Sequence, residues 1–254
     1  MKPHSDGSTQ RLGIAVTGHR LAHPALAGRA SAVEEALRRL FKAVSDTGVN
    51  ASKVTLRSLL ADGADQNATR LAISNGWSIE ATLPFGLALT CAIGAGHEQD
   101  DAGTKRALLR EAEESAKSRV SSHTPAIRAF MDVASHARVD ALPEQDDERY
   151  AALWIAASNG MDESRLFAEE ASHRYALAAR RVLDQSDLLV AVWDGASSSA
   201  IGGTGHTVQE AVTASIPVIW IEPAAPDYVR LLAANVPSPP VAAALAVAEA
   251  LRPR

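Results

Sequence analysis

Short apolar runs alternate with amphipathic stretches through the first third of the chain. Residues 11–17 are apolar and end in Gly18-His19-Arg20, the pattern of a buried strand followed by a loop. In residues 31–44, Val33, Ala36, Leu37, Leu40, Phe41 and Val44 recur at helical spacing, and Glu34, Glu35, Arg38 and Arg39 fall on the opposite face. Ser31 with Glu34 has the spacing of a capping box. Residues 54–60 give a second strand, broken by Ala61-Asp62-Gly63-Ala64-Asp65. A helix is predicted over 66–74 and closed by Asn75-Gly76, and a third strand runs over 77–83 until Pro84 stops it. Apolar strands that alternate with amphipathic helices imply a parallel sheet covered on both faces.

The pattern then changes. Residues 103–119 and 124–133 read as helices, 136–147 as a polar loop, 150–158 as a packed helix, and 164–183 as a long helix with Leu166, Ala168, Tyr175, Ala176, Ala179 and Val182 available for packing. This stretch, about 94–185, reads as a helical insertion or lid. Residues 186–195 follow as the strongest strand in the chain, apolar enough for the centre of a parallel sheet. A glycine-rich stretch, a helix over 207–215, a strand over 216–221 and a last helix over 241–251 complete the chain. The expected fold is therefore α/β and Rossmann-like: a mostly parallel sheet, helices on both faces, and a helical insertion before the fourth strand. Residues 1–10 are expected to be a disordered tail and 11–254 a single domain.

Composition narrows the choices. The chain has 254 residues and a formal net charge of −5, so no general attraction to nucleic-acid phosphates is expected. Cys91 is the single cysteine, which excludes an internal disulfide and a cysteine-based zinc site. The polar N-terminus is no signal peptide, and no apolar run approaches the ~20 residues needed to span a bilayer. The expectation is a soluble, cytoplasmic homo-oligomer with no membrane partner and no clear nucleic-acid surface.

In an open parallel sheet, ligands bind beyond the carboxyl ends of the strands. Four loops leave strand ends: Thr17-Gly18-His19-Arg20; 61–65; Pro84-Phe85-Gly86; and Asp194-Gly195 through the glycine cluster. If the strands are parallel, all four share one edge. Gly202, Gly203 and Gly205 precede a helix, so their amides can form an anion site strengthened by the helix dipole, with Thr204 and Thr207 close by. The same glycines are also compatible with a plain strand-to-helix turn. They satisfy neither the P-loop pattern nor the dinucleotide fingerprint. Arg20 suits phosphate, and His19 shares its loop. Asp62 and Asp65 either hydrogen-bond a ribose or only build the turn around Gly63 and cap the helix after it. His206 is either a loop residue bonded to backbone or an anion-binding or acid–base group. Trp193 is the tryptophan best placed to stack on a base. The run His97-Glu98-Gln99-Asp100-Asp101 matches no metal-ligand spacing and reads as a solvated helix start, so no metal is expected.

Three stretches, "IAVTGHR", "SLLADGADQNATRLAISNGWSIEATLPF" and "DQSDLLVAVWDGASSSAIGGTGHTVQEAVTASIPVIWIEP", together resemble the SLOG superfamily. This Rossmann-like group includes the DNA-processing protein A domain and the lonely-guy phosphoribohydrolases, and the first stretch looks like a bacterial branch of it. The resemblance implies binding of a nucleotide or nucleotide derivative across the strand-end loops, with the third stretch holding the glycine phosphate loop. Members either sense such ligands or cleave an N-glycosidic bond. The hydrolases carry Gly-Gly-x-Gly-Thr-x-x-Glu. Here Gly202, Gly203 and Gly205 match, His206 stands at the threonine, and Gln209 at the glutamate. Glu210 is one residue late, and one residue turns a helix by ~100°. Glutamine does not serve as a general base.

The reading is a sensor or regulatory domain that binds a phosphorylated nucleotide-type molecule, with no other cofactor fixed. Its expected site is Thr17, Gly18, His19, Arg20, Asp62, Gly63, Asp65, Trp193, Asp194, Gly195, Gly202, Gly203, Thr204, Gly205, His206 and Thr207. One alternative is a nucleotide N-glycosidic hydrolase with Glu210 as its acid–base group. Another is a module without ligand that oligomerises or docks an effector.

Overall fold

The computed structural model describes residues 11–97, 99–118, 122–196, 201–233 and 236–252. The expected tail, 1–10, and the start of the glycine stretch, 197–200, lie outside them. Eight strands form one sheet in the order β4-β3-β2-β1-β5-β6-β7-β8: β1 Leu12–Gly18, β2 Val54–Ser58, β3 Ser78–Leu83, β4 Arg138–Ala141, β5 Leu188–Val192, β6 Val218–Ile221, β7 Val229–Ala233 and β8 Val236–Pro237. β1 to β6 are mutually parallel, β7 runs antiparallel to β6, and β8 runs antiparallel to β7. This is the α/β, Rossmann-like architecture that the alternation of apolar runs and helices implied.

Helices cover both faces because successive strand residues point to opposite sides. Ile14 and Val16 of β1, with Leu188, Val190 and Val192 of β5, pack under α1 Ala30–Asp46, α2 Ala64–Ser74 and α9 Ala243–Ala250. Ala15, Leu189 and Ala191 face α7 Met161–Asp184 and α8 Thr204–Thr213. α3 Leu87–Ala95, α5 Pro125–Ser135 and α6 Asp147–Ala156 pack beyond β3 around Leu83 and Phe85, and α4 Ala102–Ser118 adds Ala112 to that core. α1 buries the apolar face that its spacing foretold, and Arg38 on the wet face bonds Glu34 and Glu35 at 2.8 and 3.2 Å. The capping box does not form. Helix α1 opens at Ala30, which leaves Ser31 inside its first turn.

Further expectations are corrected. The second strand ends at Ser58, because Leu60 takes a positive φ of 57° that no strand continues. The stretch 136–147 is not wholly a loop: residues 138–141 form β4, which pairs with β3 at the edge of the sheet. Only four residues long and alternating in exposure, β4 carries too weak a period to read. The segment 94–185 is therefore not purely helical. It extends the sheet, and its last helix, α7, passes over β3 and β2 to return the chain to β5. The tail after Pro223 likewise hides the β7–β8 hairpin.

Candidate functional site

From β1 the chain winds outward through β2 and β3 to β4, then returns to lay β5 on the other side of β1. The order of strand addition reverses between the parallel strands β1 and β5, and adjacent loops part there to leave a crevice. A cavity of about 610 Å³ occupies it. Its lining includes Thr17, Gly18, His19 and Arg20 after β1; Asp65 at the start of α2; Trp193 and Asp194 after β5; and Gly202, Gly203, Thr204, Gly205 and Thr207 at the start of α8.

Close packing sets the loops. A Cβ on Gly18 would stand 2.4 Å from Ala64 Cβ and 2.9 Å from Val192 Cβ, so only glycine lets β1 run between them. The His19 amide donates to the Val192 carbonyl at 3.1 Å, which ties the first loop to β5. Gly63, at φ +91°, sits against the same loop, where a Cβ would fall 2.5 Å from the His19 carbonyl oxygen. Asp62 accepts the Leu21 amide at 3.3 Å and faces Arg20 at 3.8 Å. Asp62 and Gly63 thus stand behind the first loop and not on the cavity wall, contrary to the ribose contact open to Asp62 in the sequence.

Asp65 does reach the cavity, but as a buried group. Ser58 Oγ donates to its carboxylate at 2.9 Å, and burial pushes the carboxyl up to about 7 despite that bond and those from the Leu59 and Ala61 amides. At neutral pH it is poised between a proton donor and an anion.

His19 and Asp194 meet across the crevice. His19 Nε2 lies 3.2 Å from Asp194 Oδ1 and accepts the Asp194 amide, also at 3.2 Å. Burial and the neighbouring His23 hold the His19 imidazole below its ordinary value, against the weaker opposing pull of Asp194. The His19 and His23 rings stack 3.7 Å apart, within 3° of parallel. Trp193 packs against Trp220 at 5.3 Å, tilted 45°, and donates its indole N–H to the Ala196 carbonyl at 3.0 Å. Gly195 lies off the cavity, turned at φ +80° beside Trp220.

The glycine stretch divides its work. Gly202, at φ +78°, lets the chain pass α7, where a Cβ would stand 2.6 Å from the Ser172 carbonyl oxygen. Gly203 is the N-cap of α8, and no side chain caps the helix among the described residues. The start of α8 therefore turns backbone amides and its positive dipole end toward the cavity. Thr207 is buried beneath it and donates to the Gly203 carbonyl at 3.2 Å. His206 and Glu210 point elsewhere. They face each other at 3.8 Å, one turn apart on α8, and neither lines the cavity.

The third strand-end loop is also closed off. Arg174 of α7, buried, donates to the Pro84 carbonyl at 2.7 Å, and Asp147 accepts the Gly86 amide at 2.8 Å. Helix α7 also supplies wall residues that the strand-end rule missed. Tyr175, Ala179 and Val182 line the cavity from positions i, i+4 and i+7, a stripe legible as helix packing but not as site. His23 was missed too, because a histidine five residues beyond the strand end carries no pattern of its own.

Compared with known proteins, the chain matches no family model and no curated protein.

Proposed function

We propose that this chain binds a phosphorylated nucleotide or nucleotide-derived small molecule in the β1–β5 crevice, as a SLOG-type sensor or regulatory domain. One observation carries the reading: the N-terminus of α8, which no side chain among the described residues caps, opens with its glycines into a cavity at the switch point of a parallel sheet. Helix N-termini favour phosphate, and switch-point crevices are where open α/β sheets take ligands. About 610 Å³ falls in the range of small-molecule and cofactor sites. Thr204 and Thr207 add hydroxyls beside the amides, Arg20 adds a cation, and Trp193 adds an aromatic face.

The position of Glu210 favours holding a ligand over cutting one. A general acid or base must come within hydrogen-bond reach of the reacting atoms. Glu210 faces His206 outside the cavity wall, and Gln209 occupies the position of the hydrolase glutamate.

Thermal shift and calorimetry against a panel of nucleoside mono-, di- and triphosphates test the proposal. Saturable binding of at least one member is expected, and Gly203→Val should abolish it without lowering the melting temperature of the free protein. A flat panel would overturn it. Release of free base from a bound ligand, lost in Glu210→Ala, would reinstate the hydrolase.

A further inference from the structure

We propose that His19, His23 and Asp194 form a site for one divalent transition-metal ion at the cavity wall. One ligand atom from each residue lies within 4.8 Å of the other two. All three residues line the cavity. They come from the end of β1, the short helical turn Pro24–Leu26 that His23 caps, and the end of β5. Only the folded chain assembles them.

The contacts at His19 bring lone-pair bearers together. Nε2 receives the Asp194 amide N–H, so that nitrogen carries a lone pair. The same nitrogen stands 3.2 Å from the Asp194 carboxylate oxygen, another lone-pair bearer. That oxygen also accepts the Ala196 amide at 3.0 Å. A metal ion that displaces the Asp194 amide from Nε2 would join the two lone-pair bearers. The His23 imidazole lies face to face with His19, 3.7 Å away, so it is near enough to share an ion once it turns out of the stack. His23 Nδ1 now accepts the Ala25 amide at 3.2 Å, so that ring too presents an unprotonated nitrogen, which it can exchange from the amide to an ion.

Ligand chemistry selects the ion. Two imidazoles and one carboxylate suit zinc, manganese, iron, cobalt or nickel better than magnesium or calcium. Metal–ligand distances of about 2.0–2.2 Å place donors roughly 3.3 Å apart, so the side chains need draw together by at most about 1.5 Å, with one imidazole turning toward the ion. Three protein ligands leave coordination positions open, as in sites that bind substrate or an exogenous oxygen donor. Among the described residues that line the cavity, Arg20 is the one lysine or arginine, and Asp62 already faces it at 3.8 Å. An ion here would supply the positive charge that a phosphate site without a lysine lacks. That last consequence rests on the nucleotide reading, whereas the metal site itself does not.

The test uses metal alone. The purified full chain, stripped with chelator, is titrated with cobalt(II) and read by its visible ligand-field absorption, with no nucleotide present. One saturable site is expected. His19→Ala, His23→Ala and Asp194→Asn should each weaken it by about tenfold or more, and His173→Ala should leave it unchanged. Should a variant fail to fold, zinc X-ray absorption on the wild-type protein decides: two imidazoles and oxygen are expected. No saturable binding, an affinity indifferent to all three substitutions, or a zinc spectrum with fewer than two imidazoles would overturn the proposal. A flat nucleotide panel beside an intact cobalt site would remove the nucleotide reading and leave this one standing.

Discussion

Asp194 presents two unlike groups to one atom of His19. Its amide donates to Nε2 at 3.2 Å, and its carboxylate oxygen lies 3.2 Å from the same nitrogen. That oxygen also accepts the Ala196 amide at 3.0 Å, so each group already has a donor. Asparagine keeps an oxygen acceptor there, and Asp194→Asn should therefore leave the melting temperature of the metal-free protein unchanged. A clear loss of stability, read by calorimetry, would mean that the negative charge is held there by a protonated His19.

Gly63 supports the first loop by its lack of a side chain. Gly63→Ala forces a Cβ to within 2.5 Å of the His19 carbonyl oxygen and strains a φ of +91°. The cost should be about 2 kcal/mol or more. Urea denaturation measures it. Ligand affinity should fall as well, since Thr17 to Arg20 rest on this contact.

Gly202 and Gly203 are neighbours with separable roles. Gly202→Ala meets α7 backbone at 2.6 Å and should destabilise the fold. Gly203 has φ −80° and ψ 171°, open to any residue, so Gly203→Val should spare stability and block the α8 amides. Melting curves beside ligand titrations separate the two. Equal effects of both substitutions on stability would argue against this division.

Asp65 makes the protein pH-sensitive in an unusual direction. Its carboxyl, pushed up to about 7 by burial, holds its proton more tightly folded than unfolded, where about 3.9 is ordinary. The stability it contributes is complete below pH ~4 and is lost as pH rises through about 7. The stability difference between wild type and Asp65→Asn should therefore grow to the disadvantage of wild type over that interval. Denaturation midpoints measured at several pH values give the difference, and parallel curves would refute the shift. Because Asp65 lines the cavity, affinity for a phosphate should also weaken above pH 7 in wild type and less so in the asparagine variant.

Arg174 locks the insertion to the sheet. Its guanidinium donates to the Pro84 and Pro143 carbonyls at 2.7 and 3.1 Å, and it lies 5.0 and 5.4 Å from the Tyr150 and Phe85 rings. Arg174→Ala leaves two carbonyls and Asp147 without it, and should cost about 3 kcal/mol by urea denaturation.

The sequence by itself determined the alternation of buried strands and amphipathic helices. Period and apolar content are local properties, and β1, β3, β5 and α1 could be read from a few residues each. Position at strand ends also brought out Thr17, His19, Arg20, Asp194 and the glycines before α8, because a parallel sheet puts every such loop on one edge. Tertiary structure decided the rest. It ruled β4 and the β7–β8 hairpin into the sheet by long-range pairing, which outweighs their weak local period. The third loop, equal to the others in sequence, is sealed by Arg174 and Asp147 from distant helices. Asp62 stands behind the wall while Asp65 lines it. His206 and Glu210 turn away on α8, a consequence of where that helix starts. His23 joins His19 and Asp194 by ring stacking across a loop, a relation between residues up to 175 positions apart that no local pattern encodes.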